Sequence, residues 1–235
     1  MYYTEKEIIE KCETASVNMN FFYKADVINY RGKTKEKKYY TEIVAEWLLD
    51  NLDKLNLINT IERQKPYKTR HAGELGNKTN RVEEYIAKQL YNFSKKQKDD
   101  FPGLGKIIDY QTPLKANNDS LNKGLGKIDL LSINKKDKSV YILELKKNDS
   151  KETMLRCVLE SYTYLSIISK AKLLRDFNIP KDYKVKASPL VFRNSSQYNE
   201  FMDSKREYLH QLMTKLDSVP FFIEETPDKY KIFND

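Results

Sequence analysis

Two apolar segments separated by a short polar turn constrain the fold of this chain more than any other feature. The first segment reads GKIDLLSI over residues 126–133, the second reads SVYILELKK over residues 139–147, and residues 134–138 between them read NKKDK. Ile, Leu, Val and Tyr dominate both segments, and these residue types favour β-strands. The pattern predicts a β-hairpin that carries Asp129 in one strand and, after fourteen intervening residues, Glu144-Leu145-Lys146 in the other.

The register of this hairpin decides where its charged side chains point. If residues 135–138 form the turn, Asn134 faces Ser139 and Asp129 lies directly opposite Glu144. Because side chains alternate between the two faces of a strand, Lys146 shares the face of Glu144. A shift of one residue would remove the opposed pair, so the geometry depends on the predicted register.

Two carboxylates opposed on a sheet repel each other and are costly to bury, so a compensating cation is expected beside Asp129 and Glu144. Mg²⁺ prefers oxygen ligands and keeps part of its hydration shell, and Mn²⁺ can substitute for it. Lys146 is suited to orient or help deprotonate a water molecule and to stabilise charge that develops on a phosphate. These residue types predict a divalent-metal site of the kind that hydrolyses phosphodiesters.

Asp129 followed by Glu144-x-Lys146 resembles the PD-(D/E)xK nuclease superfamily, which has the restriction-endonuclease-like fold, and bacterial members carry segments similar to GKIDLL and LELKK. The resemblance implies that Asp129 and Glu144 bind Mg²⁺, that the carbonyl of Leu145 completes the site, and that Lys146 is catalytic. It also implies DNA as the substrate ahead of RNA. The chain departs from the family pattern at Ile128, where proline commonly precedes the acid.

A purely structural interpretation of the same three residues stays open. Asp129 could be a charge on an edge strand, and Glu144 with Lys146 could belong to a solvated face of a half-exposed sheet. Against this, residues 140–145 read VYILEL and are apolar at both parities apart from Glu144. That composition is typical of a strand covered on both faces.

Residues 81–93, RVEEYIAKQLYNF, have the helical spacing of an amphipathic helix. On a helical wheel Glu83 lies at the edge of the buried stripe, whereas Glu84 lies on the far face. The superfamily resemblance implies that Glu83 contributes to the active site. The alternative is that Asn80 and Glu83, which have capping-box spacing, stabilise the helix N-terminus.

A basic segment at residues 62–80 interleaves cations with aromatic residues, which suits a loop that follows a phosphate backbone and stacks on a base. A solvated connector is an equally good interpretation. The predicted nucleic-acid contacts are Arg63, Lys65, Lys68 and Arg70 in this segment, together with Lys147 after the metal motif.

Net charge supports an anionic partner only modestly. The 235 residues contain 42 Lys and Arg against 34 Asp and Glu, a net charge of +8, and Lys-rich usage also follows genomic base bias. Cys12 and Cys157 are too few for a disulfide framework, which favours a reducing compartment. The N-terminus lacks a signal-peptide pattern, and no apolar run approaches the roughly eighteen residues of a membrane helix. We expect a cytoplasmic protein without a membrane partner, and a homodimer is one of the oligomeric states that the sequence leaves open.

The order of predicted elements indicates an α/β fold, with a mixed central β-sheet flanked by helices. Strands are predicted at residues 106–113, in the hairpin, at 185–192 and at 219–225. Helices are predicted at 40–55, from a cap at Asp149 to about residue 174, and from a cap at Ser196 to about residue 216. Residues 79–235 correspond to the nuclease-like core, and residues 1–78 are predicted to form a mainly helical extension with the basic loop.

Overall fold

The α/β class is confirmed by a computed structural model that describes residues 2–69, 71, 81–115, 124–226 and 229–234, with the side chain of Lys229 outside that description. The seven α-helices in these ranges are α1 Glu5–Ala15, α2 Tyr40–Asp50, α3 Val82–Lys96, α4 Met154–Ile167, α5 Lys170–Asp176, α6 Ser196–Met202 and α7 Glu207–Lys215. The strands are β1 Lys106–Pro113, β2 Lys127–Asn134, β3 Ser139–Lys146, β4 Lys184–Phe192, β5 Phe221–Thr226 and β6 Lys229–Phe233. Short 3-10 helices cover Ser16–Lys24, Asp26–Asn29 and Leu52–Leu57.

The six strands form one mixed sheet in sequential order, β1-β2-β3-β4-β5-β6. The β1–β2, β2–β3 and β5–β6 pairs are antiparallel, whereas β3–β4 and β4–β5 are parallel. Each parallel pair needs a crossover, and helices α4–α5 and α6–α7 provide the two crossovers. The mixed sheet flanked by helices is therefore as predicted, and β6 adds an edge strand that the sequence patterns did not indicate.

Both faces of the central strands are covered. On one face Leu130 and Leu143 pack in a hydrophobic cluster with Leu90 of α3. On the other face Leu131 and Ile142 belong to a larger cluster that includes most of α4. Burial on both sides explains the almost continuous apolar sequence of β3.

The first part of the chain packs on the α4 face of the sheet. Buried residues of α1, α2 and the 3-10 helices join the same hydrophobic cluster as α4. Glu42 of α2 is buried, and its carboxylate accepts hydrogen bonds from the backbone N–H groups of Tyr208 (2.8 Å) and Leu209 (3.1 Å). It thereby satisfies free donors at the N-terminus of α7. The helical character predicted for this region is present, and the predicted boundary at residue 78 lies outside the described residues.

Two predicted helices begin or end elsewhere because tertiary contacts decide their caps. Helix α4 starts after Thr153, not Asp149, since the Thr153 hydroxyl accepts from Arg156 N–H (3.2 Å) and donates to the carbonyl of Ile28 (2.8 Å). Its predicted continuation is interrupted after Ile167, where Ser169 caps the separate helix α5. The helix predicted up to residue 216 is likewise divided into α6 and α7.

None of the helices in the described ranges is both long enough and apolar enough to cross a membrane. Cys12 and Cys157 are free and buried. Burial raises the pKa of the Cys12 thiol to about 12, so the reactive thiolate is disfavoured. The thiol is also shielded from solvent.

Candidate active site

The hairpin has the predicted register. Backbone pairing runs from Asn134 with Ser139 to Leu130 with Leu143. Asp129 and Glu144 are the next residue on each strand, immediately beyond the last pair. Both have the parity of Leu131 and Ile142, which contact the α4 cluster, so the two acids lie on the face of α4.

The strands separate at this point, and the carboxylate of Asp129 takes the place of a ladder partner. Its Oδ2 accepts a hydrogen bond from the backbone N–H of Leu145 at 3.0 Å. Since the N–H and C=O of a strand residue point toward the same neighbouring strand, the Leu145 carbonyl also lies on the Asp129 side. The gap between β2 and β3 is thus lined by oxygen atoms.

Gln111 of β1 holds the second oxygen of Asp129. Its side-chain amide donates to Asp129 Oδ1 at 3.0 Å. Gln111 has φ +51° although its neighbours Tyr110 and Thr112 are both paired with β2. A non-glycine residue in this left-handed conformation is strained by about 1 kcal/mol or more, and such strain often accompanies functional sites. Nothing in the sequence pattern indicates this conformation.

Lys146 is buried among three carboxylates. Its Nζ lies 2.6 Å from Glu144, 2.6 Å from Glu152 and 3.2 Å from Glu160. The side chains of Glu144 and Lys146 are only 6% and 5% exposed. The predicted sharing of one face is present, and α4 with its preceding residues supplies two acids that the sequence did not assign to the site.

Helix α4 organises the back of this cluster. Arg156 Nε lies 2.8 Å from Glu152 and 3.8 Å from Glu160, so the guanidinium pairs with both acids. The hydroxyl of Tyr164 donates to Glu160 at 2.8 Å. Gly126 lies directly against that hydroxyl, because a Cβ on residue 126 would be 2.4 Å from the Tyr164 oxygen. The glycine is therefore required for close packing of α4 on β2.

The buried charges shift one another's protonation. Removal from water raises the pKa of Asp129 to about 7, while Lys146 and the N–H of Leu145 act in the opposite direction. Burial, together with the charges of Asp129 and Glu160, raises the pKa of Glu144 well above its usual range. Burial acts to lower the pKa of Lys146, but the surrounding carboxylates outweigh it and raise that pKa instead. Full ionisation of these acids is therefore unfavourable unless a further positive charge is present.

Glu83 of α3 reaches the end of β3. Its Oε1 accepts from the backbone N–H of Lys147 at 3.2 Å, which fits the predicted position at the edge of the site. Helix α3 starts after Arg81 without a side-chain cap, and Asn80 of the capping alternative lies outside the described residues. Glu84, expected on the far face, pairs with Arg81 at 3.3 Å and lines the same cavity as Glu83, so its predicted separation from the site is wrong.

A cavity of about 580 Å³ opens beside these groups, between the N-terminus of α3 and the ends of β1 and β2. Asp129, Gln111 and Glu83 line it, whereas the buried Glu144 and Lys146 are not among its lining residues. Charges of both signs surround the opening. The basic lining residues are Arg81, Lys115, Lys127 and Lys147, and the acidic ones are Glu83, Glu84 and Asp129.

The basic loop is only partly as expected. Arg63 stabilises its own loop, because its guanidinium donates to the carbonyls of Pro66 (3.1 Å) and Lys115. Tyr67 is 1% exposed, and its hydroxyl accepts from the backbone N–H of Ser169 at 3.2 Å. Because Tyr67 is buried in the core, its ring cannot stack on a base. The prediction that this loop offers aromatic side chains for stacking is therefore wrong at Tyr67.

The other predicted nucleic-acid contacts differ in their surroundings. Lys65 and Lys68 are exposed, and Arg70 lies outside the described residues. Lys147 lines the cavity, and its ammonium lies 3.2 Å from Asp149. The structure therefore places Lys147, but not Lys65 or Lys68, on the cavity lining.

The chemical types of the donor groups, though not their arrangement, suit a hard divalent cation. Four carboxylates (Asp129, Glu144, Glu152, Glu160) face two cations (Lys146, Arg156), which leaves an excess of two negative charges when all are ionised. A divalent ion would offset that excess, and carboxylate and carbonyl oxygens are the ligands Mg²⁺ prefers. Within the described ranges, no three His, Cys, Asp or Glu side chains are arranged to hold a metal, and Lys146 lies among the acids.

The chain has no match among family models, curated proteins or solved structures. The resemblance of Asp129, Glu144 and Lys146 to the PD-(D/E)xK pattern therefore stays a prediction. The geometry of the site and its charges are the basis for assigning a function.

Proposed function

We propose that this protein is a Mg²⁺-dependent nuclease that hydrolyses phosphodiester bonds in DNA, with RNA as the less favoured substrate. The observation that carries the proposal is the position of Asp129. Its carboxylate lies in the gap between β2 and β3, lines the cavity and borders the buried Glu144–Lys146 pair. Acids and a lysine converging where two strands part are suited to phosphodiester chemistry.

In this proposal Asp129, Glu144 and the carbonyl of Leu145 hold the ion. When bound, Mg²⁺ supplies a Lewis acid that activates water and neutralises charge on the phosphate. Gln111 fixes the Asp129 carboxylate through its 3.0 Å hydrogen bond, so that the acid does not need to reorganise when substrate arrives. Glu83, held at the N–H of Lys147, adds a carboxylate on the cavity side where a water molecule can be oriented.

Lys146 contributes positive charge. Three carboxylates fix its ammonium near Asp129, where it favours negative charge that develops on the phosphate. The basic residues around the cavity contribute differently, since exposed cations attract the phosphate backbone without discriminating between sequences. Lys115 and Lys127 are both exposed at the rim.

A second candidate is a nucleic-acid-binding protein of the same fold that does not cleave. The enclosure of Lys146 favours it, because an ammonium already paired with three carboxylates is poorly placed to contact substrate. The third alternative, a structural or interaction protein, treats the same charges as internal ion pairs. Metal binding separates the third alternative from the nuclease.

The nuclease is tested by incubating supercoiled plasmid with the purified protein in Mg²⁺, in Ca²⁺ and in EDTA. We expect nicking in Mg²⁺, little in Ca²⁺ because its looser coordination misplaces the nucleophile, and none in EDTA. Asp129→Asn and Glu144→Gln should abolish cleavage, and Asp53→Asn, an exposed acid in a 3-10 helix, is the matched control. Wild type that binds DNA and metal but never cuts plasmid, linear DNA or RNA would establish the non-catalytic alternative.

A further inference from the structure

A second group of basic side chains lies at the opposite end of β3 from the candidate active site. Helix α5, the segment that follows it and the start of β4 meet there and enclose a groove of about 710 Å³. Leu174, Ile179 and Val185 contribute apolar side chains to it, together with the ring of Tyr183. β3 has eight residues, so roughly 25 Å separate this groove from the candidate active site.

Exposed cations surround the groove. Lys170, Arg175, Lys181 and Lys184 are all exposed and line it. An adjoining cavity of about 560 Å³ shares Lys184 and Lys186 and extends to the β2–β3 turn. This second depression lies next to Tyr141, which has the opposite parity to Val140, so it is on the other face of β3. We call the first depression, beside α5, the α5 groove.

The α5 groove concentrates the positive charge of the protein. Five basic residues and one acidic residue line it, a balance of +4, which is half of the net charge of +8. The cavity beside Asp129 has four basic and three acidic residues, a balance of only +1. The basic residues of the groove are Lys170, Arg175, Lys181, Lys184 and Lys186, and the acidic one is Asp217.

Local contacts fix the shape of this surface. The backbone N–H of Lys184 donates to the carbonyl of Lys138 at 2.8 Å, which ties the turn to the start of β4. Lys138 pairs with Asp182 at 2.7 Å, and Lys186 pairs with Asp217 at 2.9 Å. The two aspartates thus hold Lys138 and Lys186 in place. The exposed cations lie at the rim of a surface whose shape is already fixed before a ligand binds.

We propose that the α5 groove is a binding site for the phosphate backbone of a nucleic acid. A concave, strongly basic channel with a partly buried tyrosine and an apolar floor matches a polymer that presents regular phosphates and flat bases. An anionic membrane is flat, and a convex surface with projecting apolar groups would bind it better than a groove. The proposal is independent of cleavage, because the groove lies at the other end of the sheet from Asp129.

The test is binding of a fluorescein-labelled 20-base-pair DNA duplex, followed by anisotropy in EDTA so that no cleavage is involved. Lys181→Glu/Lys184→Glu is compared with Lys6→Glu/Lys35→Glu, which changes two exposed lysines elsewhere and lowers the net charge equally, from +8 to +4. We expect the groove variant to weaken binding by about tenfold or more at 0.1 M salt and the control by less than about threefold. The groove variant should also bind with a shallower salt dependence, by about one unit of slope for each phosphate that it no longer neutralises.

Equal weakening in both variants, or none in the groove variant, would overturn the proposal, since binding would then follow net charge or another surface. Phosphatidylserine vesicles that bind more tightly than DNA and depend on Lys181 and Lys184 would replace it with a membrane site. Circular dichroism checks the fold, and Lys181→Ala/Lys184→Ala serves if charge reversal impairs folding. Loss of DNA binding in the groove variant supports the proposal whether or not the wild type cleaves DNA.

Discussion

The two ends of β3 use charge in opposite ways. At the end that carries the candidate site, Glu144 and Lys146 are buried, of opposite sign and in direct contact. At the other end, Lys181 and Lys184 are exposed and belong to a surface with few compensating acids. Buried charges are costly unless paired, so each partner is needed for stability, whereas exposed charges act mainly at a distance and are screened by salt.

Substitutions at the two ends should therefore have different consequences for the fold and for binding of a partner. Changes at the buried end should alter the free energy of unfolding as well as function. Changes at the exposed end should alter binding alone.

The largest expected effect is that of Lys146→Met. It leaves the carboxylates of Glu144, Glu152 and Glu160 without their shared cation, so we expect a loss of about 3–5 kcal/mol in the free energy of unfolding. Urea denaturation measures it. The control is Lys186→Met, which breaks the more exposed pair with Asp217 and should cost less than about 1 kcal/mol. Similar losses in both variants would remove the distinction between the two ends.

Gly126→Ala should have the next largest effect. The new methyl group would lie 2.4 Å from the hydroxyl oxygen of Tyr164, so α4 must shift away from β2. We expect a cost of about 1–3 kcal/mol, typical of overpacking. In a Tyr164→Phe background the hydroxyl is absent and the cost should be smaller. A thermal-unfolding double-mutant cycle that shows no coupling between the two positions would contradict the packing described here.

Comparing Gln111→Gly with Gln111→Ala separates the backbone strain at residue 111 from the role of its side-chain amide. Glycine relieves the left-handed φ of +51°, while the amide that holds Asp129 is lost. We expect Gln111→Gly to be about 1 kcal/mol more stable than Gln111→Ala, which loses the same amide but keeps the strain. Both variants should cleave DNA more slowly than wild type. Equal stability of the two variants would show that residue 111 is not strained.

Glu83→Gln should change stability least. The amide oxygen of glutamine can still accept from Lys147 N–H, so the melting temperature should stay close to that of wild type while cleavage falls. Glu84→Gln should reduce cleavage less, because Glu84 lines the cavity but pairs with Arg81. A lower melting temperature with intact cleavage in Glu83→Gln would assign Glu83 to helix stabilisation.

Local patterns predicted the centre of the sheet well. The polar turn fixes the register from Asn134–Ser139 to Leu130–Leu143, because the length of a hairpin turn decides which residues of the two strands pair. The helical wheel similarly indicated that Glu83 reaches the site. These features depend on residues that are close together in the sequence.

What the sequence did not indicate depends on tertiary contacts. Glu152 and Glu160 meet Lys146 only because α4 docks on β3, and the start of that helix is set by Thr153 bonding to Ile28. The burial of Tyr67 and the left-handed conformation of Gln111 are similar cases, since neither has a periodic signal. The sequence located the candidate site at one end of the sheet. It did not indicate which side chains from other elements contact the residues of that site.

We expect the buried acids around Asp129 to hold a divalent ion. Isothermal titration of Mn²⁺, in the presence and absence of a DNA duplex, tests it most directly on wild type, Asp129→Asn and the control Asp53→Asn. We predict saturable binding to wild type and to the control, and loss of that binding in Asp129→Asn because one ligand and one negative charge are removed. Absence of binding to wild type even with DNA present, or unchanged binding to Asp129→Asn, would contradict this expectation.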